Sequence, residues 1–289
     1  MALKGRHINP KRFDRGQIKI LLILLPLTLF MALPIVFIIN HAFKPMEELF
    51  AFPPTFFVRN PTTDNFVKLL KFSRSAGIPL SRYVFNSLLV TVLTVGLALL
   101  LTTCAAFAFS KIKFRGRTLM LQINQIAIMF VATAVLIPRY MVINSVGLID
   151  TILAHVLPLV AMPVALFLVK QFVDQVPDSL IEAAHLDGAN DLQVYWKIIL
   201  PIIRPAIATA MVLVFQQVWT NMETSSYFIN DESMKTMTFY MNTLVNANSG
   251  VAGQGVSAAA SLIMFIPNLI LFIICQNAVM NTMATSGIK

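Results

Sequence analysis

The sequence predicts an all-α polytopic membrane protein with six transmembrane helices. Of the 289 residues, 57% are hydrophobic and only 12% are charged, and the mean hydropathy is +0.76. Soluble domains contain about 25% charged residues, so this composition excludes a water-soluble globule. Six long stretches lack Asp, Glu, Lys and Arg, and about 20 apolar residues are enough to cross a bilayer. We therefore assign one predicted span to each stretch.

The first predicted span, residues 20–43, follows a basic tail, residues 1–19. A secretory signal peptide also places basic residues before an apolar run. This run is too long for a signal peptide, however, and no small-x-small cleavage site follows it. We therefore expect the run to be retained as a membrane helix.

The other five spans are predicted within residues 83–279, which form the core of the protein. Membrane helices tolerate the Pro, Gly and polar residues in these runs when neighbouring helices satisfy the freed backbone groups. The charge-free runs are 83–110, 118–138, 151–169, 205–222 and 257–279.

The distribution of basic residues predicts the orientation of these spans. With the N-terminus in the cytoplasm, 14 of the 22 Lys and Arg residues lie in inner segments, which follows the positive-inside rule. The tails 1–19 and 280–289 are then cytoplasmic, and the long loops 44–82 and 228–256 are extracytoplasmic. Each long loop is predicted to be either an ordered contact surface or a simple connection.

The segment 176–203, between spans four and five, departs from the apolar pattern and predicts a cytoplasmic helix-turn-helix on the membrane surface. Ser179 and Glu182 fit a capping box, so the first helix is predicted to begin near Leu180. Gly188 suits the left-handed residue that follows a helix end.

The second helix of this segment also has recognisable end signals. Asn190 with Gln193 is predicted to cap its beginning. Pro201 marks the place where this helix must stop or kink, because proline removes a backbone donor and clashes with the preceding turn.

Within this segment, Glu182-Ala183-Ala184, Gly188, Ile198 and Leu200-Pro201 match in full the EAA motif, EAA-x3-G-x9-I-x-LP. This motif is typical of permease subunits of binding-protein-dependent ABC importers, and the chain resembles them from about residue 20 to its end. It is most similar to the second, MalG-like permease of carbohydrate importers, which implies a MetI-like permease fold. The resemblance also rests on Phe85-Asn86-Ser87, the segment 105–117, Gly147-Leu148-Ile149 and the segments 201–206 and 282–289.

The resemblance implies that the EAA loop docks on a cytoplasmic ATPase. Helix capping by Glu182 and helix termination by Gly188 explain the same residues without docking, and both roles can coexist. We further expect the hinge at Gly188 to leave no room for a side chain. The implied ATPase-coupling residues are Glu182, Ala183, Ala184, His185, Asp187, Gly188 and Asn190.

The resemblance also implies the partners and the location. The partners are a second homologous permease, two ABC ATPase subunits, an extracytoplasmic solute-binding protein and membrane lipid, all at the bacterial cytoplasmic membrane. No G-x4-G-K-[ST] loop occurs, so ATP and Mg²⁺ are expected on the ATPase subunits. We expect this chain to have no catalytic residue, metal or cofactor. We expect no nucleic-acid partner in spite of the net charge of +9, because aromatic residues do not alternate with the basic ones.

Polar residues in the fifth predicted span are candidates for a solute path. A continuous helix from residue 205 to about 228 would place Gln216, Trp219 and Glu223 on one face. Amides bond sugar hydroxyls, and an indole covers the apolar face of a pyranose. Interhelical hydrogen bonding and an interfacial Trp explain the same residues. The candidate set is Gln216, Gln217, Trp219, Asn221 and Glu223.

These features predict a permease subunit of an ATP-driven importer of a carbohydrate, specifically an oligosaccharide. Two alternatives remain open at this point. The same architecture could import a polyamine, glycerol phosphate or another small solute, because the EAA loop specifies the coupling and not the cargo. A self-sufficient secondary carrier would place ionisable groups near the membrane midplane, and the charge-free runs argue against it.

Overall fold

The computed structural model describes residues 15–75, 77–247 and 250–286, so most of the predicted N-terminal tail lies outside the described residues. Within these ranges the chain is helical and contains no β-strand. The helices are α1 (Arg15–Phe43), α2 (Met46–Leu49), α3 (Asp64–Ser75), α4 (Leu80–Lys111), α5 (Arg117–Met129), α6 (Leu136–Ser145), α7 (Ile152–Val160), α8 (Pro163–Asp174), α9 (Asp178–Leu186), α10 (Asp191–Val194), α11 (Leu200–Ile202), α12 (Arg204–Trp219), α13 (Glu223–Tyr227), α14 (Met237–Ala247) and α15 (Gln254–Ser286).

By length and composition, three of the described helices can each cross a membrane: α1, α4 and α15. Three further spans are possible only if pairs of helices are joined across a sharp bend of more than 40°. The pairs are α5 with α6, α7 with α8, and the segment Asp191–Ile202 with the segment Arg204–Tyr227. The six predicted spans thus correspond to three long helices and three bent pairs.

Prolines account for the bends in the second half of the chain. Between α7 and α8 the backbone of Ala161 and Met162 is extended, and Pro163 starts the next helix. Between α11 and α12 the helix breaks at Ile203, two residues after Pro201, and turns by 80°. Sharp kinks of this kind are expected where proline removes a helix hydrogen bond. The predicted stop or kink at Pro201 is confirmed.

The largest core cluster is formed by α4, α8 and α12. Alanines with no exposed surface lie at the contacts between these helices, which allows the backbones to approach closely. They are Ala98 and Ala106 on α4, Ala165 on α8, and Ala206 and Ala210 on α12. This cluster also includes residues of the EAA loop, so the loop is continuous with the packed core.

The two long loops contain helices of their own. Helices α2 and α3 lie in the loop 44–82, and α14 lies in the loop 228–256. At the junction of α1, α3 and α15, buried Asn65 donates to the carbonyl oxygens of Ala42 and Lys44. A Cβ atom at Gly255 would lie only 2.6 Å from the Asn65 amide, so this close packing requires glycine. The described residues of both loops therefore include helices that pack on α1, α4 and α15.

Candidate functional site

Helix α9 of the EAA loop begins at Asp178, two residues before the predicted start. The N-cap position is Pro177, whose backbone is extended, and no side chain caps the helix. The predicted capping box of Ser179 and Glu182 is therefore wrong. The negative charge of Asp178 lies in the first turn instead, where the helix dipole favours it.

Lys111 fixes the start of α9 to the end of α4. Its Nζ lies 2.7 Å from Asp178 Oδ1 and donates to the carbonyl oxygen of Val176 at 2.5 Å. The Lys111 side chain is only 8% exposed. The hydrogen bond from Lys111 lowers the pKa of Asp178. Because α4 is one of the long apolar helices, this contact ties the EAA loop to the membrane-spanning core.

Gly188 ends α9 in the left-handed conformation, with φ of +84°. Its N–H donates to the carbonyl oxygen of His185 at 3.0 Å. The N–H of Ala189 donates to the carbonyl oxygen of Ala184 at 2.9 Å. This pair of hydrogen bonds is the Schellman motif, as predicted from the glycine. The expected lack of room is wrong, because a Cβ atom at Gly188 would meet no atom within 4 Å among the described residues, its two chain neighbours aside. The left-handed backbone conformation, and not a shortage of space, therefore favours glycine at position 188.

Further contacts hold the start of α10 and the turn that precedes it. Asn190 and Gln193 form the predicted capping box, with each side chain bonded to the other residue's N–H at 2.8 and 3.0 Å. His185 bridges the turn, because its Nδ1 donates to the carbonyl oxygen of Ala189 at 2.9 Å while Nε2 lies 3.5 Å from Asp191 Oδ1. Hydrogen bonds therefore hold the turn between α9 and α10 on both sides.

The two faces of α9 differ in exposure. Ile181 and Ala184 are half-buried against the core cluster, so Ala184 faces the permease core. Leu186 is 90% exposed on the other side, and the sequence analysis did not single it out. A leucine within a polar, charged helix was the available signal. The other implied coupling residues, Glu182, Ala183, His185, Asp187, Gly188 and Asn190, are exposed.

The EAA loop continues into the core through a π-helical turn, Tyr195–Ile199. The buried Tyr195 hydroxyl lies 2.8 Å from Thr103 Oγ1 on α4, and its ring lies 5.7 Å from that of Phe107. π-Helical turns are rare and occur frequently at functional sites. A displacement of the loop would therefore reach α4 through both Lys111 and Tyr195.

The predicted continuous helix through residues 205–228 is wrong. Helix α12 ends at Trp219, and residues 220–222 separate it from α13. The break arises because the Asn221 side chain accepts hydrogen bonds from the N–H and hydroxyl of Thr224 and so starts a new helix. Consequently Gln216, Trp219 and Glu223 do not form one continuous face.

Trp219 packs between helices and is only 5% exposed. Its Nε1 donates to the carbonyl oxygen of Met264 on α15 at 3.0 Å, and its ring stacks on Phe215 with centroids 5.7 Å apart. Glu223 is also engaged, because Oε1 accepts from Arg139 Nη1 at 2.7 Å. Trp219 and Glu223 thus make the interhelical contacts that explain both residues without a solute path.

Gln216 is exposed and lines an open groove of about 280 Å³ between α12 and α15. Asn268 on α15 presents a second amide to this groove, beside the rings of Phe265 and Phe272. Sequence reasoning missed Asn268, although an amide within a charge-free run was a usable signal. Gln217 is exposed but lies outside the groove. Amides flanked by aromatic rings are groups that can bind hydroxylated solutes.

Replacing Trp219 tests its packing role. We expect Trp219→Ala to destabilise the protein by about 3–5 kcal/mol, because it removes a buried indole and leaves a cavity. Trp219→Phe keeps most of the packing and loses one hydrogen bond, which contributes about 1 kcal/mol. The melting temperature of the purified chain in detergent measures both effects. A fully stable Trp219→Ala with an altered substrate KM would instead assign the indole to the solute path.

Comparison with known proteins shows the family to which this architecture belongs. Residues 23–279 match the family described as "Binding-protein-dependent transport system inner membrane component". The chain belongs to this family. The protein is therefore an inner-membrane component of a transport system, and the resemblance based on the EAA motif is confirmed.

Relatives and a solved structure agree with this membership. The permease is 27% identical, over 100% of both chains, to the "Inner membrane ABC transporter permease protein YcjP" of Escherichia coli (strain K12). It is 29% identical to the "Polygalacturonan/rhamnogalacturonan transport system permease protein YtcP" of Bacillus subtilis (strain 168), over 80% of this chain and 78% of that one. A crystal structure of a bacterial ABC transporter involved in alginate import shares the fold, with a TM-score of 0.76 and 22% identity over 93% of this chain and 99% of that one. The all-helical permease fold is confirmed.

At the end of the permease remote from the EAA loop, α4 and α7 hold the segment 228–237. Asp150 accepts hydrogen bonds from the backbone and side chain of Asn230. Buried His155 bonds Thr224 Oγ1 at 2.9 Å and the Met234 carbonyl oxygen at 3.2 Å.

The first turns of α4 hold the same segment through Arg82, Tyr83, Asn86 and Ser87. Asn86 and Ser87 thus have a packing role.

Proposed function

We propose that this permease pairs with a second homologous permease and imports an oligosaccharide, using ATP hydrolysed by separate ATPase subunits. The observation that carries this proposal is the EAA loop. Its outer face is exposed, while its inner face and the Lys111–Asp178 pair hold it against the core. A rigid, exposed helix fixed to membrane-spanning helices can transmit a displacement of a bound partner.

The proposed topology places the EAA loop and both termini in the cytoplasm and the segments 44–82 and 228–256 outside. In this arrangement, ATP and Mg²⁺ bind to the ATPase subunits, and this chain contributes no catalytic residue, metal or cofactor. An extracytoplasmic solute-binding protein delivers the sugar, as the family description supports. The ATPase docks on the exposed residues of α9, chiefly Glu182, Ala183 and Leu186.

An oligosaccharide is the substrate class that the comparisons favour. The relative from Bacillus subtilis is described as a polygalacturonan/rhamnogalacturonan permease, and the structural neighbour as an alginate importer. The groove with Gln216 and Asn268 offers amide groups of the kind that bond sugar hydroxyls. A polyamine would require carboxylates, and the residues lining this groove include none.

Site-directed cross-linking tests the docking surface. We expect a cysteine at Leu186, which is 90% exposed, to cross-link to an ATPase subunit in membranes that contain the whole importer. Ile181→Cys is the matched control, because this position lies on the same helix but faces the core. Mass spectrometry identifies the cross-linked protein. A chain that transports alone in vesicles, without any ATPase, would contradict the proposal and favour a secondary carrier.

The solute path is tested at the groove between α12 and α15. We expect Gln216→Ala to raise the KM for sugar uptake several-fold, because one lost hydrogen bond contributes about 1 kcal/mol. Gln217→Ala is the control, since its neighbouring amide is equally exposed but does not line the groove. Uptake of radiolabelled sugar into vesicles gives the KM of each variant. Equal kinetics for the two variants would remove Gln216 from the path.

A further inference from the structure

An apolar segment, residues 50–57, projects beside the C-terminal end of α1. Its exposed side chains are entirely apolar and include four phenylalanines and two prolines. Phe52 is 97% exposed and Phe57 is 66% exposed. Exposed apolar surface of this kind marks a site of interaction with another molecule or with lipid.

The segment folds back along α1 instead of projecting away from the membrane. The ring of Phe56 lies 6.1 Å from that of Phe37, and the N–H of Val58 donates to Asn40 Oδ1 at 3.0 Å. Phe37 lies six residues before the end of α1, which is about 9 Å along a helix axis. The chain leaves α1 at Phe43, passes through α2 and then returns alongside the last two turns of α1.

The depth of Phe37 can be placed relative to the bilayer. The apolar part of α1, Ile20–Phe43, contains 24 residues and is therefore about 36 Å long. The hydrocarbon layer is about 30 Å thick, so about 3 Å of the helix extends beyond it at each end. Phe56, whose ring lies beside that of Phe37, is therefore next to the apolar part of α1 near the hydrocarbon boundary, the region that interfacial segments occupy.

Several backbone groups in and beside the segment need no hydrogen bond from water. Pro53 and Pro54 have no N–H to satisfy. The side chain of Lys44, which is 2% exposed, donates to the carbonyl oxygen of Thr55, and Asn40 accepts from Val58. Unsatisfied backbone groups are expensive in lipid, so side-chain partners of this kind favour insertion.

Apart from the Lys44 ammonium, which donates to Thr55, the charged residues nearest the segment in sequence are Glu47, Glu48 and Arg59. Glu48 on α2 accepts hydrogen bonds from the N–H groups of Arg59 and Asn60 at 3.0 and 2.8 Å. Residues 50–58 carry no charge. The charged residues therefore flank the apolar segment on both sides in sequence.

We propose that residues 50–57 form an interfacial anchor that inserts into the acyl-chain boundary of the leaflet at the C-terminal end of α1. Under the proposed topology this is the outer leaflet. Lipid fits better than a protein partner, because protein interfaces make about one hydrogen bond per 100–200 Å² and the exposed side chains here offer no polar atom. The anchor would fix α1 at its depth while the other helices move.

Spin labels test the depth of this segment in the assembled importer, reconstituted into phosphatidylethanolamine and phosphatidylglycerol vesicles. The two native cysteines are first replaced, as Cys104→Ser and Cys275→Ala. Labels at Phe52→Cys and, independently, Phe57→Cys report the segment. Glu47→Cys, exposed on α2, is the aqueous control, and Phe30→Cys, 71% exposed in the middle of α1, is the hydrocarbon control.

The measurement is the collision rate of each label with oxygen, which concentrates in lipid, and with a water-soluble nickel complex. We expect oxygen to dominate at Phe52 and Phe57, with a ratio between those of the two controls. Asn40→Ala should shift the ratio at Phe52 towards nickel, because the bond that holds Val58 is lost. Nickel-dominated collisions at both positions would show a water-exposed loop. Low collision rates with both reagents would show a protein partner, and either result would overturn the proposal.

Discussion

Gly188→Val is expected to abolish coupled transport while leaving the chain inserted in the membrane. Gly188 has φ of +84°, a conformation that costs a residue with a side chain about 1–2 kcal/mol, and a β-branched residue more. The Schellman hydrogen bonds that end α9 would be lost, and the turn to α10 would change. Affinity for the ATPase should fall about tenfold or more, because only the native loop conformation can dock. Co-purification and ATPase stimulation measure this loss.

Gly188→Asn is the control that separates backbone conformation from steric exclusion. Asparagine adopts positive φ more readily than other residues with side chains. A Cβ atom at Gly188 meets nothing in this chain, so we expect Gly188→Asn to retain most of the coupling. Equal loss in both variants would show instead that the docked ATPase fills the space at this glycine.

The EAA loop shows why local signals in the sequence were sufficient there. Gly188, Asn190 and Gln193 act through neighbours within five residues, so their roles follow from type and spacing. The predicted start of α9 failed because a distant residue, Lys111, pairs with Asp178 and favours it in the first turn. No local pattern reports a partner that is 67 residues away in sequence.

The prediction of one continuous helix through the candidate solute path failed where one side chain changed the backbone. Hydropathy and helical spacing place residues 205–228 on one helix, but Asn221 bonds Thr224 and interrupts it. The bends at Pro163 and Pro201 were missed in a similar way, because charge-free runs locate a span without showing whether it is continuous. The number of candidate spans therefore followed from composition. The geometry of the candidate solute path depends on three-dimensional contacts, which composition does not report.

The ion pair of Arg139 and Glu223 joins α6 to α13 across 84 residues of sequence. Its side chains are 26% and 23% exposed, so neither charge is fully solvated. Removing one partner leaves the other partly buried and unpaired, a change that costs 3–5 kcal/mol at fully buried pairs. With this partial exposure we expect Arg139→Gln and Glu223→Gln each to destabilise the permease by about 1–3 kcal/mol and to lower the transport rate.

The double variant Arg139→Gln/Glu223→Gln separates a structural pair from a sugar-binding carboxylate. If the cost arises from the unpaired charge, the double variant should be more stable and more active than either single variant, because two amides can still bond each other. Melting temperature and the KM for uptake form a double-mutant cycle. If Glu223 binds sugar directly, Glu223→Gln should raise KM without destabilisation, and adding Arg139→Gln should restore nothing. The observed 2.7 Å contact between the two side chains favours the structural pair.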